Sequence, residues 1–583
     1  MRHLLSSKSS KRTGTGQLFL PIDHSVDFGH PYLTSQLIAY IGNKRALLPF
    51  LRDVLAQVAQ DRHGSGPRTG PLAFLDPFAG SGAVSRLARA MGFSVAANDW
   101  EPYAFVINSC HITLSPGELD ALFGSRGGLH RVLAELNSLP APPEAERYIA
   151  RHYAPRRTET ADWMTERLFY TTENALRIDA IRERIEQMYP RDVEADAARA
   201  KAALLAPLLY EAATHTNTSG VFKACHRGFG GHGRDALTRI MAPIRLEPPV
   251  LVESPLASSV SCENAATFLR ARTADICYLD PPYAVHQYGS NYFMLNSIAL
   301  WDRPPVSEER GTDGRLVHKA GIRTDWARTR SAFCYPATAL RAMAEVVQAA
   351  DCRHLIVSYS DEGLIGLEEL CDLLSETGSL SVRSRGYLKY PGGKQSIGRR
   401  TSNVELALVV DRRSRSVPGR TRETLLQVEA ARLLGRSFNP EKIRRSFSVE
   451  PGGILVDAGG SRFHLPMDHH WRFARDARRP SCVSALEASH CIELLASCEV
   501  TDAREEIEVL MSVAGAERDG GEKNRLLREI LRLLNKLAHR KYAREFAETL
   551  RVLESFATGL EEDRAFRAGI ARIVETAARR APR

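Results

Sequence analysis

A chain of 583 residues, 44% hydrophobic and 25% charged, has ample length to bury a core, and length alone would allow about four domains. Its net charge of +9 and pI near 9.0 suggest a polyanionic partner, although the same excess would also solubilise the surface. No basic start followed by an apolar stretch and cleavage site opens the sequence and no apolar run reaches about 18 residues, so secretion and membrane insertion are not expected and the cytoplasm is the default compartment.

Residues 1–16 are rich in Ser, Lys, Arg, Thr and Gly with no apolar period, and residues 1–30 are expected to form a disordered basic tail. Within it, Gln17-Leu18-Phe19-Leu20-Pro21 resembles the short peptides by which bacterial replication proteins dock on the sliding clamp; an apolar strap on the domain's outer face is the plainer alternative. Residues 72–75 predict a buried strand ending at Asp76. Phe78, Gly80 and Gly82 follow in a turn tight enough to approach a ligand before a helix over 83–91. A second strand, 93–97, ends at Asp99, 23 residues after Asp76, where α/β folds place an acid that binds ribose hydroxyls.

About 150 residues then separate this strand from the next, over 258–262, too many for a loop, so the insertion is expected to fold on its own. Helices are predicted near 117–136, 163–188 and 195–212. Residues 223–239, rich in Gly, His and Arg, read as a nucleic-acid-facing loop with Lys223, Arg227 and Arg234 as candidate contacts, more suited to phosphate than to base edges.

The most informative string is residues 275–283, Asp-Ile-Cys-Tyr-Leu-Asp-Pro-Pro-Tyr. An apolar strand delivers Asp280 to the carboxyl edge of a sheet, and Pro281 and Pro282 fix the turn beyond it. Asp280 and the Pro281 carbonyl can accept both hydrogens of an exocyclic amine while Tyr283 stacks on the ring, which suits adenine. After it, His286, Tyr288, Asn291, Tyr292, Phe293 and Trp301 form a second candidate DNA-facing loop, although Tyr292 to Leu300 also reads as a packed helix face. Further strands are predicted at 354–359, 381–390 and 404–410, the last two suiting an antiparallel hairpin across Pro391-Gly392-Gly393. Eleven Lys or Arg against three acids between Arg383 and Glu423 make a local positive field for DNA phosphate, or a charged linker. Ten cysteines show no Cys-x-x-Cys pair, and several, such as Cys277 and Cys352, sit in apolar strands as reduced core residues.

These strings resemble the Dam family of DNA adenine-N6 methyltransferases over roughly residues 35–412. Tyr40-Ile41-Gly42-Asn43-Lys44 is similar to the family's first cofactor motif, Asp76 to Gly82 to its glycine motif, Asn98-Asp99 to the ribose acid, and Asp280 to Tyr283 to the catalytic motif. Softer echoes are the segment from Asn217 to Phe222, beside the target base in the family, and Ile397-Gly398-Arg399-Arg400, with Lys394 just before it. At Glu263-Asn264 many relatives carry an acid next to the donor's adenine; either residue can be the aligned one, which makes Asn264 a cofactor candidate. The resemblance implies S-adenosylmethionine as donor, double-stranded DNA as substrate and no metal. It also implies an α/β fold: a Rossmann-like class I methyltransferase sheet of seven strands in the order 3-2-1-4-5-7-6. The methyltransferase domain would span 31–412, with target recognition inserted at 113–250. A cognate restriction enzyme or defence partner and action at the nucleoid would follow from such a role.

Adenine's amine is a poor nucleophile because its lone pair is delocalised into the ring. Acceptors at Asp280 and Pro281 would favour a pyramidal nitrogen and direct in-line attack on the methyl group, with the base flipped from the duplex. Two other readings keep parts of this pattern: methylation of RNA or of another exocyclic amine, and a non-catalytic DNA-binding regulator. His464, Asp468, His469 and His470 form a weak metal-like cluster, better read as surface or core. Residues 420–583 form a mostly helical extension with a short Gly-rich β-region near 452–465 and a leucine face from Leu526 to Leu537 that suits a small bundle better than a dimer seam.

Overall fold

The computed structural model describes residues 26–60, 71–190, 194–231, 234–360, 363–388, 402–416, 419–433, 436–458, 461–468, 471–473, 491–559 and 564–580. Residues Gln17 to Pro21, Lys394, Arg399, Arg400, His469 and His470, and the turn at Pro391 to Gly393, lie outside the described residues. The described residues fall into two compact units, one drawn from 1–358, 363–379 and 407–416, the other from 359–362, 380–406 and 417–583.

Seven strands form one sheet: β1 (Ala73–Asp76), β2 (Ser94–Asn98), β3 (Ser259–Ser261), β4 (Thr273–Leu279), β5 (Asp351–Ser360), β6 (Ser379–Leu388) and β7 (Ser402–Asp411). Their order is β3-β2-β1-β4-β5-β7-β6, the order expected. The pairs β1/β2, β1/β4, β2/β3 and β4/β5 are parallel, with Leu75 opposite both Ala96 and Cys277. Buried runs such as Phe74-Leu75 and Ile276 to Leu279 explain this: strands covered on both faces read as continuous apolar stretches rather than alternating ones. Because β1, β2 and β4 run in one direction, Asp76, Asp99 and Asp280 all emerge at their carboxyl edge.

The helices beside the sheet are α1 (Leu48–Gln60), α2 (Ala83–Ala90) and α3 (Pro102–Thr113). In the insertion, the helix expected over 117–136 is two, Pro116–Phe123 and Leu129–Asn137, broken where Gly127 and Gly128 take φ of +82° and +92°. The one expected from 163 begins only at Thr172, because Thr171 caps it by accepting from the Asn174 N–H, and runs to Met188. A third helix spans Ala195–Thr214. Residues 113–250 do not form a separate unit: Ile178, Leu204 and Leu208 share one core with Tyr103 and Ile107 of α3 and with Phe293, Leu295 and Ile298 of the helix Phe293–Leu300. That last helix is packed rather than DNA-facing, since Tyr292, Phe293 and Met294 are buried and Trp301 is held by its Nε1 donating to Glu183 at 2.7 Å.

In the other unit, Gly453–Ala458 and Ser461–Pro466 pair antiparallel, Val456 opposite Phe463, with Ser448–Glu450 alongside. Four helices, Ala503–Ala516, Gly520–Leu537, Ala543–Thr558 and Arg564–Arg580, form a bundle. Leu526, Leu527, Ile530, Leu533, Leu534 and Leu537 all turn into its core against Ile507, Leu553 and Phe566, so the leucine face is filled from within the chain. Nine described cysteines are free; Cys277 and Cys352 are buried as expected, whereas Cys262 is exposed. Among the described residues no helix is long and apolar enough to cross a membrane, and no cluster of three His, Cys, Asp or Glu is placed to hold a metal.

Candidate active site

The turn after β1 is built by two glycines in the left-handed region. Gly80 has φ +52° and lies so close to Tyr40 that a Cβ would meet the ring at 2.8 Å; Gly82 has φ +73° and a Cβ there would sit 2.1 Å from Asn108 Oδ1. Asn108 in turn donates to the Gly80 carbonyl at 3.0 Å. The Gly80 N–H points across to β2, donating to Asp99 Oδ2 at 2.7 Å, while the Glu101 N–H donates to Asp99 Oδ1 at 2.9 Å. Asn98 ties three strand ends together, its Nδ2 donating to the carbonyls of Pro77 and Glu263 and its Oδ1 accepting from the Glu263 N–H.

Buried acids dominate this side. Burial pushes the Asp76 carboxyl up to about 7 despite the hydrogen bond from Ser85 Oγ at 2.6 Å, and its Oδ1 makes no well-formed hydrogen bond. Burial likewise raises Asp99 to about 6 against three backbone N–H groups that favour its charge, and Glu101 to about 7 against a hydrogen bond from Asn296.

On the other side, Lys44 Nζ lies 3.2 Å from Asp280 Oδ1 and 5.2 Å from the centre of the Tyr283 ring, with only 4% of its side chain exposed. The residues from Tyr40 to Lys44 make a turn in which Gly42 has φ +75° and Asn43 Oδ1 accepts from the Arg45 N–H. Tyr292 OH accepts from the Ile41 N–H and Tyr288 OH donates to the Ile41 carbonyl, while both rings pack on Tyr40. The Tyr283 carbonyl accepts from the Leu364 N–H at 3.1 Å. Gln287 clasps Ser331 from both directions, donating to its carbonyl at 3.1 Å and accepting its N–H at 2.9 Å.

These two sides line one continuous cleft. Asp76, Phe78, Gly80 and Asp99 face it together with Asp280, Pro281, Pro282 and Tyr283, and so do Tyr40, Gly42, Asn43 and Lys44. Sequence reasoning missed Glu101, Gln287, Thr329 and Ser331, which also line it. Glu101 carried a weak signal, two residues beyond Asp99; Thr329 and Ser331 sit in a polar stretch with no motif.

Several candidate residues stand elsewhere. Asn264 caps the helix Ala265–Arg270, its Oδ1 accepting from Ala266 and Thr267 N–H, and its neighbours Glu263 and Ala265 line the cleft instead. Asn217 is fully buried, donating to the Leu168 carbonyl and accepting from the Gly230 N–H, so it shapes the loop from inside rather than facing out. Tyr288 belongs to the cleft wall. Lys223, Arg227 and Arg234 are exposed, and Arg227 lies over the Trp163 ring at 4.6 Å.

Comparison with known proteins agrees with this geometry. Residues 40–319 match the model of the D12 class N6 adenine-specific DNA methyltransferases. The chain is 28% identical over 361 residues to the type II methyltransferase M.NlaIII of Neisseria lactamica, covering 61% of this chain and 93% of that protein. It is 28% identical over 362 residues to the type II methyltransferase M.CviAII of Paramecium bursaria Chlorella virus 1 (62% and 95%), and 26% identical over 433 residues to the modification methylase LlaI of Lactococcus lactis subsp. lactis (73% and 62%). With both lobes of the cleft inside the matched segment or directly continuous with it, residues 40–319 belong to the D12 class of N6 adenine-specific DNA methyltransferases.

Proposed function

We propose that the protein transfers a methyl group from S-adenosylmethionine to the N6 amine of an adenine flipped out of double-stranded DNA, at a specific site, as the modification activity of a restriction–modification or defence pair. The observation that carries this reading is the single cleft shared by the acidic, glycine-lined side and the Asp280 to Tyr283 side. The modification role is supported by the names of the type II and modification relatives, and a partner nuclease and action at the nucleoid are the setting we infer for it.

The residues fit the donor. Gly80 brings backbone to the cleft wall in a turn packed so closely on Tyr40 that no Cβ fits, and Asp76 Oδ1 is a buried acceptor able to take an ammonium group. Asp99 keeps lone pairs on both oxygens for ribose hydroxyls, and Glu263, rather than Asn264, is the acid at the adenine end. When bound, the donor supplies an electrophilic methyl group. Asp280 and the Pro281 carbonyl accept the two amine hydrogens, which frees the nitrogen lone pair from the ring. Tyr283 stacks on the extruded base and partly offsets the few kcal/mol of unstacking. Lys44 holds Asp280 as a charged acceptor and fixes its position against the tyrosine ring. No covalent enzyme intermediate would be needed: the amine would take the methyl carbon directly as its bond to sulfur breaks, leaving a neutral thioether, and the surplus amine proton would pass by way of Asp280 to solvent.

Incubation with labelled S-adenosylmethionine and a mixed plasmid library, nucleoside digestion and modification-sensitive sequencing test this. N6-methyladenine at one recurring sequence is expected; label only in RNA, or only on cytosine, would overturn it.

Donor affinity should also depend on pH. The free enzyme's Asp76 and Asp99 hold protons up to about 7 and about 6, whereas the donor's cation and hydroxyls need carboxylates. Titration calorimetry should therefore show affinity weakening by about tenfold per unit as pH falls from about 7 to about 6, and by up to about a hundredfold per unit below that, where both carboxyls hold protons. Asp76→Asn should bind less tightly at pH 8 and show a flatter profile. Stability of the free enzyme runs the other way: a carboxyl whose folded pKa lies above its unfolded value stabilises fully below about pH 4, and that contribution is lost as pH rises through about 7.

A further inference from the structure

Directly after Tyr283 the chain makes a knuckle. The His286 N–H donates to the Ala284 carbonyl at 2.7 Å, closing a three-residue turn with Val285 at its apex. Val285 is 63% exposed, more than any other large apolar side chain among the described residues. An apolar side chain at the tip of a loose loop would be unremarkable, but this turn is anchored on both flanks. Before it, the Tyr283 carbonyl is held by the Leu364 N–H; after it, the His286 carbonyl accepts from Cys334 Sγ at 3.3 Å and Gln287 is clasped twice by Ser331. The apex cannot fold back to bury its methyl groups without breaking these bonds, so the chain presents an isolated apolar tip at a fixed height beside the pocket for the base.

Its surroundings suit a polyanion. Exposed Lys223 is close enough to Cys334 for its charge to act there. The Phe222 N–H donates to the Asn291 carbonyl at 2.8 Å, so the segment carrying Lys223 is bonded to the chain that continues from the knuckle. Tyr335, next to Cys334, is 42% exposed. An apolar side chain held this far into water gains nothing from it. In a duplex it finds an apolar slot, because the extruded nucleotide leaves a gap between two stacked base pairs, and small apolar side chains are known to enter such steps.

We propose that Val285 is the wedge that enters the DNA stack as the target adenine leaves it, holding the base extruded against Tyr283. The proposal rests on the adenine-methyltransferase reading above and assigns extrusion to a residue that touches neither donor nor amine. Its contribution is confined to the cost of opening the duplex. It should therefore vanish when the substrate has already met that cost.

The test uses the full chain and two duplexes of the methylated sequence, one fully paired and one with an abasic site opposite the target adenine. Val285→Ala is expected to lower kcat/KM on the paired duplex by about tenfold and to match the parent within about twofold on the abasic duplex. Val285→Leu should restore activity on the paired duplex. With 2-aminopurine at the target position, the fluorescence rise seen with the parent should be largely absent with Val285→Ala, independently of turnover. Equal loss on both duplexes, or no loss on either, overturns the wedge while leaving the enzyme reading intact. A parent protein inactive on both duplexes overturns that reading, and the wedge with it.

Discussion

Asp280→Ala is expected to reduce methyl transfer by at least about a thousandfold while changing donor affinity by less than about threefold. The asymmetry follows from where the carboxylate sits. Asp280 lies past the end of β4, across the cleft from the acids after β1 and β2, and its Oδ1 is engaged with Lys44 at 3.2 Å. The residues proposed to hold the donor, Gly80, Asp76 and Asp99, are fixed by hydrogen bonds that do not involve it, and Asp280 reaches Asp76 only through its charge, which disfavours the Asp76 carboxylate. The amine hydrogens, by contrast, have no second carboxylate positioned on a proline-fixed turn to replace it. Lys44 is nearly fully buried, so removal of its anionic partner also carries a stability cost, on the order of 3 kcal/mol for a buried pair broken on one side. Calorimetric donor titration and a melting curve therefore accompany the activity assay. A variant that is folded, binds donor and methylates DNA at the parent rate would show that the acceptor assignment is wrong.

What could be read from the residues, and what could not, divides along a physical line. Strands β1, β2 and β4 were legible because each is a short apolar run ending in an acid and bounded by Gly or Pro, and that pattern needs no knowledge of partners. Interruptions were harder. Gly127-Gly128 breaks a helix because both residues take positive φ, and Thr171 starts one by capping, yet the apolar period on either side runs on as though the helix were continuous. The insertion looked independent on length alone, whereas its apolar faces are completed by Tyr103, Ile107 and Phe293 from distant segments.

The cleft shows the same division. Asp76, Gly80, Asp99 and Asp280 sit within motifs and face the cleft. The pairing of Lys44 with Asp280 joins residues more than 200 positions apart and has no local signature. Asn217 and Asn264 matched by position, but their amides are consumed by the backbone: one supports a loop and the other caps a helix. Polar side chains of this kind state their role only once their hydrogen-bond partners are known.

Gly80→Ala is expected to weaken donor binding by about a hundredfold, the second large effect, even though it adds a single methyl group. Two costs combine. At φ +52° an alanine pays about 1 kcal/mol for the left-handed conformation, and its Cβ would meet two ring carbons and the hydroxyl oxygen of Tyr40 within 3.0 Å. Tyr40 has little room to yield, since it stacks on Tyr292 with centroids 5.3 Å apart and packs on Tyr288 at 5.1 Å, and those two hydroxyls grip the Ile41 backbone. Strain of about 1–3 kcal/mol is the usual result of such overpacking. The cheapest relief is to move the turn, which pulls the Gly80 N–H from Asp99 and closes the space intended for the donor. Gly92→Ala is the control: it has φ +84° with nothing within 4 Å, so it pays the conformational cost without the clash. Both variants should melt a few degrees lower than the parent, but only Gly80→Ala should lose donor affinity. If the two bind donor equally well, the glycine turn is a structural bend and not the floor of the donor site.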